Sequence, residues 1–203
     1  MAPPGRPRSF DRDVALKRAM EMFWERGYEA VSLADIASAL GLTKPSIYAA
    51  FGGKEELFRE AIELYTRTEG SSTQSALADQ PTARDAVEAM LRNNARCYTT
   101  PGKPRGCMVV LAASVGSSEN EQIRAFLCSI RKQSRDLLVK RVQRGIRDGD
   151  VARGADVQRV AGFYTTLLTG LSVQARDGVS AQAMNRTIDD AMELWDVVTA
   201  PKA

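Results

Sequence analysis

Residues Ser32–Tyr48, SLADIASALGLTKPSIY, read as two short helices joined by a tight turn. Ser32 suits an N-cap. Asp35, three positions on, completes a capping box or at least sits favourably on the helix dipole. Leu33, Ile36, Ala37 and Leu40 then recur at i, i+3, i+4 and i+7, which is one helical face. Gly41 stops that helix, as a residue able to take positive φ does, and Leu42 plugs the turn. Thr43 caps the second helix, and Pro45 falls in its first turn, where a missing N–H costs little. The second helix buries Ile47 and Phe51 and turns Lys44, Ser46, Tyr48 and Ala49 outward. Two apolar anchors beneath cationic, hydroxyl and phenolic groups make the pattern of a helix that reads the major groove of DNA.

Working outward, Asp11 to Gly27 forms a first helix with the apolar stripe Leu16, Ala19, Met20, Phe23 and Trp24. Beyond Gly52-Gly53, Lys54 opens a fourth helix whose face is Phe58, Ala61, Ile62 and Tyr65. Before all of these, Met1–Ser9 is a Pro-rich arm in which Arg6 and Arg8 sit on a stiff backbone. It reads equally as a solvated tail or as an arm for the minor groove.

Residues 70–81, GSSTQSALADQP, are small and polar: they read as a linker, or as a stretch into which the fourth helix runs before breaking, and as the best boundary between an N-terminal unit and the rest. The helix that Thr82 caps carries Met90, Leu91 and Tyr98, and TTPGKPR, residues 99–105, is a loop. GCMVVLAASV, residues 106–115, is continuously apolar and reads as a buried helix among helical neighbours. A long amphipathic helix follows from Glu119 to Arg147, whose many basic residues read as a solvated face. Asp156 and Ser180 cap two further helices, and TAPKA at the end reads as a disordered tail. Gly162, Thr166 and Gly170, four apart, line one face with small groups that let another helix approach closely.

The expected fold class is therefore all-α, with an N-terminal three-helix, helix-turn-helix DNA-binding domain at residues 8–68 (the helix-turn-helix itself at about 32–51) and a C-terminal helical domain at 80–199. The 203 residues, 44% hydrophobic and 26% charged, suit a globular protein with a sizeable core. The longest apolar runs are too short for a transmembrane helix, and the N-terminus lacks the apolar segment of a signal peptide. The expectation is a cytoplasmic protein without membrane contact. A net charge of +3 is compatible with a nucleic-acid partner without arguing for one.

Histidine is absent, which removes Ser-His-Asp and Cys-His catalysis and any His-ligated metal. No metal constellation and no phosphate-cradling glycine loop is visible, so an enzyme is not expected, nor a cofactor. Cys97, Cys107 and Cys128 are odd in number with no CxxC. They read as small buried hydrophobes. The alternative is a redox-sensing thiol, Cys107 first, because Arg105 lies nearby.

Phe10 to Phe58 resembles the tetracycline-repressor (TetR) family of bacterial transcription regulators. The resemblance is carried by MFWERGYEAVSLADIASALGLTKPSIYAAFGGKEELF, including Gly27, Tyr28, Gly41, Pro45, Tyr48, Phe51 and Lys54. It implies a homodimer on a palindromic, double-stranded DNA operator, usually as a repressor, released when a small-molecule effector enters the C-terminal domain. Carried onto matching positions, it implies DNA contacts from Ser32, Thr43, Lys44, Pro45, Ser46, Tyr48 and Lys54. Where many members have an aromatic residue and a histidine after the tyrosine, this chain has Ala49 and Ala50. Base readout must then lean on Lys44, Ser46 and apolar contacts.

The C-terminal part matches the family only in layout. The family's usual cavity implies Met90, Tyr98, Met108, Phe126 and Phe163 as lining, and so an apolar or aromatic effector. Its usual dimer, a bundle of the last two helices, implies Gly162, Thr166, Gly170, Met184, Ile188 and Trp195 as interface. A sequence-non-specific DNA binder is the alternative, and it would show steep salt dependence without preference for any sequence.

Overall fold

A computed structural model of the chain describes residues 10–113 and 120–201. Arg6 and Arg8 lie outside the described residues. Within them every regular element is helical: α1 (Arg12–Arg26), α2 (Leu33–Leu40), α3 (Lys44–Phe51), α4 (Lys54–Arg67), α5 (Ser72–Asp79), α6 (Ala83–Tyr98), α7 (Met108–Leu111), α8 (Glu121–Asp148), α9 (Val157–Arg176), α10 (Ala181–Glu193) and α11 (Trp195–Thr199). Most starts follow from one side chain each. Asp11, Ser32, Thr43, Thr82, Asp156 and Ser180 all accept a backbone N–H of the first turn they precede. Each such cap is worth about 1 kcal/mol.

The core has two parts. The first gathers α1–α4 around Phe23, Phe58 and Tyr28, whose rings meet edge-on at 5.1 Å (Phe23–Phe58) and 4.9 Å (Tyr28–Phe58). The second gathers α5, α6, the C-terminal half of α8 and α9–α11 around Met90, Leu138, Tyr164 and Ile188. The parts do not divide where the sequence does. Met108, Val109, Ala112, Ile123 and Leu127 belong to the first core, so α7 and the start of α8 pack under the N-terminal helices.

Three stretches differ from expectation. Residues 70–81 are not a plain linker: α5 occupies them, because Ala76 and Leu77 are buried in the second core and packing outweighs a weak local propensity. Only Met108–Leu111 of the apolar run is helical among the described residues. Gly106 sits at φ +79° and Cys107 is extended, so the helix starts late. Of the expected tail, residues 199–201 are held in place: Thr199 is buried and donates to the Trp195 carbonyl at 2.8 Å, and Pro201 bridges Ala155, while Lys202 and Ala203 lie outside the described residues.

Candidate nucleic-acid interface and internal cavity

The α2–turn–α3 unit is built by reciprocal hydrogen bonds. Ser32 Oγ accepts from the Asp35 N–H at 3.1 Å, and an Asp35 carboxylate oxygen accepts from the Ser32 N–H at 2.8 Å. The Ser32 hydroxyl also donates to that carboxylate at 2.6 Å. These bonds hold the Asp35 carboxyl below its usual range. Gly41 takes the left-handed conformation at φ 64°, and the Leu42 N–H returns to Ala37 O at 2.9 Å. Thr43 then caps α3, accepting from the Ser46 N–H, with its hydroxyl 2.9 Å from that of Ser46.

Ile47 and Phe51 seat α3 in the first core. Arg12 locks its far end: the guanidinium lies 4.4 Å over the Phe51 ring, donates to Ala50 O, and reaches both carboxylate oxygens of Glu60. That leaves Lys44, Pro45, Tyr48 and Ala49 exposed together, with Ser46 half-buried at their edge. Tyr48 is 54% exposed, which is unusual for a phenol ring without a partner.

Two expected contacts are otherwise engaged. The Ser32 hydroxyl proton goes to Asp35, so this side chain is not a ready phosphate donor. Lys54 is half-buried, with its ammonium 4.2 Å over the Tyr28 ring, and burial lowers its pKa.

A cavity of about 400 Å³ lies where the six helices α4 to α9 meet. Of the five residues expected to line it, Tyr98 does so. Met90 and Met108 are fully buried core, and Phe126 lies on a neighbouring groove beneath Arg59. Phe163 points outward at 38% exposure, because α9 turns Tyr164 to the core instead. Missing from the expectation are Tyr65, Cys107, Cys128 and Thr169. Tyr65 counted as α4 core. Its hydroxyl is the signal in sequence for a lining role, since a buried phenol needs a partner. A larger cleft of about 850 Å³ beside α1 and α2 is lined by charged groups such as Lys17, Glu21 and Lys103, which suits an organic effector less well.

The cavity wall is tied to the N-terminal helices. The Trp24 indole N–H donates to Gly106 O at 3.0 Å, its ring meets Tyr65 edge-on at 5.0 Å, and the Tyr28 N–H donates to Ala112 O at 2.8 Å. Arg176, at the end of α9, caps the end of α1 through the carbonyls of Trp24 and Glu25.

Met184, Ile188 and Trp195 are at most 4% exposed, spent inside the subunit's own core rather than free for a partner. The adjoining surface does carry small and apolar groups. A Cβ on Gly170 would meet nothing within 4 Å, and Phe163, Val173, Leu194 and Val197 stand exposed on α9–α11.

Two family models match: the tetR family of bacterial regulatory proteins at residues 15–61, and the tetracyclin repressor-like C-terminal domain at residues 83–191. The chain is 33% identical over 193 residues to the HTH-type transcriptional repressor ComR of Escherichia coli strain K12, covering 94% of this chain and 91% of ComR. It is 33% identical over 188 residues to the repressor BdcR of the same strain, covering 91% and 88%. Among solved structures, a cysteine mutant of the TetR family regulator CifR, complexed with 26-bp operator DNA, superposes with a TM-score of 0.89. It is 46% identical over 93% of this chain and 98% of that one.

Proposed function

This chain belongs to the tetR family of bacterial regulatory proteins, and on that premise we propose that it is a DNA-binding transcriptional repressor, acting as a homodimer on a palindromic operator and released by a small effector. The observation that carries this reading is the exposed quartet Lys44, Pro45, Tyr48 and Ala49 on a helix whose other face is fixed in the core. A chain so similar in sequence and shape to operator-binding regulators makes DNA the natural partner for that face.

Residues 8–68 serve as the DNA-binding unit and 80–199 as the effector and dimerisation unit. Lys44 gives a guanine or phosphate contact, Tyr48 a phosphate hydrogen bond with its ring against a thymine methyl, and Thr43 and Ser46 donate to phosphates. Residues Gly162, Thr166 and Gly170, with the exposed apolar groups of α9–α11, form the dimer face. The two α3 helices then sit roughly 34–36 Å apart, one turn of DNA. Like other DNA-bound regulators, the protein works in the cytoplasm.

The effector occupies the 400 Å³ cavity. Its walls include the segment that holds Trp24 and Tyr28, so a ligand that favours a displaced wall also favours displaced α1 and α3. The release is limited by the ligand's differential affinity for the two arrangements.

Selection from a random duplex pool tests the reading. A two-fold symmetric sequence bound by two chains is expected. Enrichment of a single asymmetric site by one chain, or of no sequence over another, would contradict it.

A further inference from the structure

Cys97, Cys107 and Cys128 are free and half-buried, not the sealed core residues expected of them, and the last two line the same cavity. Arg105, expected beside Cys107, instead donates to Val179 O. What meets Cys107 is a pair of phenols. Tyr65 and Tyr98 line the same cavity as Cys107, each almost wholly buried. The Cys107 N–H is fixed by the Ser172 hydroxyl at 2.8 Å. Burial first, and the Cys107 sulfur second, raise both phenols well above their ordinary value, so they remain proton donors. Phenylalanine would pack at either position without needing a partner, so two phenols sharing a cavity wall with one thiol call for a reason.

We propose that Cys107 is a covalent modification site for small uncharged α,β-unsaturated carbonyl compounds, with Tyr65 and Tyr98 holding the carbonyl oxygen. This rests on the reading of the cavity as the effector site. The Cys107 sulfur bonds to the β-carbon, the π pair of the carbon–carbon double bond becomes a π bond between the α-carbon and the carbonyl carbon, and the carbonyl π pair moves onto its oxygen. A phenol hydrogen bond stabilises that enolate. The thiol proton ends on the α-carbon, so no atom leaves and no oxidant is consumed. Val109, Ile130 and Leu168 offer the carbon skeleton an apolar wall. A peroxide, by contrast, would need no such volume.

The product is a thioether beside Gly106. A Cβ at Gly106 would already lie 2.5 Å from Leu111 Cδ1 and 2.6 Å from Ser172 O, so the segment has no slack. An adduct at Cys107 therefore shifts the carbonyl that holds Trp24.

The test incubates the purified full chain with 2-cyclohexen-1-one, with cyclohexanone or with hydrogen peroxide. Peptide mass spectrometry reads the adduct, and operator binding is measured in parallel. One cyclohexenone adduct is expected, on Cys107. It is absent in Cys107→Ser, kept in Cys128→Ser, and formed at least about tenfold more slowly in Tyr65→Phe and Tyr98→Phe. Cyclohexanone, which fills the cavity but cannot add, slows labelling of the wild type, so the proposal remains testable if a phenol variant fails to fold. Labelling of Cys107 no faster than Cys97, labelling unaffected by cyclohexanone, or oxidation by peroxide in preference to alkylation would each overturn the proposal. Mass spectrometry needs no DNA: an adduct on a protein that binds no operator leaves this chemistry standing and sinks the repressor reading.

Discussion

Trp24 on α1 donates its indole N–H to the carbonyl of Gly106, 82 positions away in sequence, at 3.0 Å within the buried core. That bond fastens the helix that carries the α2–α3 reader to the loop that walls the cavity. Trp24→Phe retains most of the packing against Tyr65 but leaves a buried carbonyl without a donor. A loss of about 1–3 kcal/mol in urea-denaturation stability is expected. Effector-induced release should weaken while operator affinity without effector changes little. An unchanged effector response would show that coupling runs elsewhere.

Lys44 stands exposed on the outer face of α3. Lys44→Ala should cost about 1–3 kcal/mol of operator binding if it reads a base, with relaxed preference at one position. If it meets a phosphate, affinity falls uniformly across sequences and the salt slope drops by about 1. Titrations of operator variants at several salt concentrations distinguish the two. No change in either quantity would remove Lys44 from the interface.

The Ser32–Asp35 box gives a pH signature. The Asp35 carboxyl is held below its ordinary value, so its contribution to stability is fully present above the usual carboxylate range. It is lost as pH falls through the depressed folded value. Asp35→Asn should therefore flatten the acid limb of a thermal-stability profile and leave the neutral region lower. Ser32→Ala should cost about 1 kcal/mol at neutral pH, measured by denaturant melts.

Gly170 separates subunit folding from association. It has open space around its missing Cβ and ordinary negative φ, so Gly170→Arg is tolerated inside one chain. Its expected result is a folded monomer by analytical ultracentrifugation, with operator affinity reduced. A variant that remains dimeric at low protein concentration would place the interface elsewhere.

The reader unit was legible in sequence because its determinants are local. Ser32, Gly41 and Thr43 each act within four residues, and Ile36, Ile47 and Phe51 follow a simple period. The cavity was not, because it is assembled from six helices spread along the sequence. Tyr65 reads as a core residue and Cys107 as a small hydrophobe or a lone thiol in their own segments, and they share a wall only when α4 and the α7 segment pack. The same reason misplaced Met184, Ile188 and Trp195. A helix stripe shows that a face is buried, not whether its own chain or a second copy covers it, and here the chain itself does. Residues 70–81 misled for the opposite cause: their polar composition hides two residues, Ala76 and Leu77, that suffice to dock a short helix.

The most direct measurement of the central claim is a competition titration of the purified protein on the duplex DNA flanking its own gene, near physiological salt, with scrambled duplex as competitor and Tyr48→Ala alongside. The account predicts binding that resists the competitor and disappears in Tyr48→Ala, while the variant keeps its helical content and association state. Binding displaced equally by scrambled DNA, or undiminished in Tyr48→Ala, would contradict it.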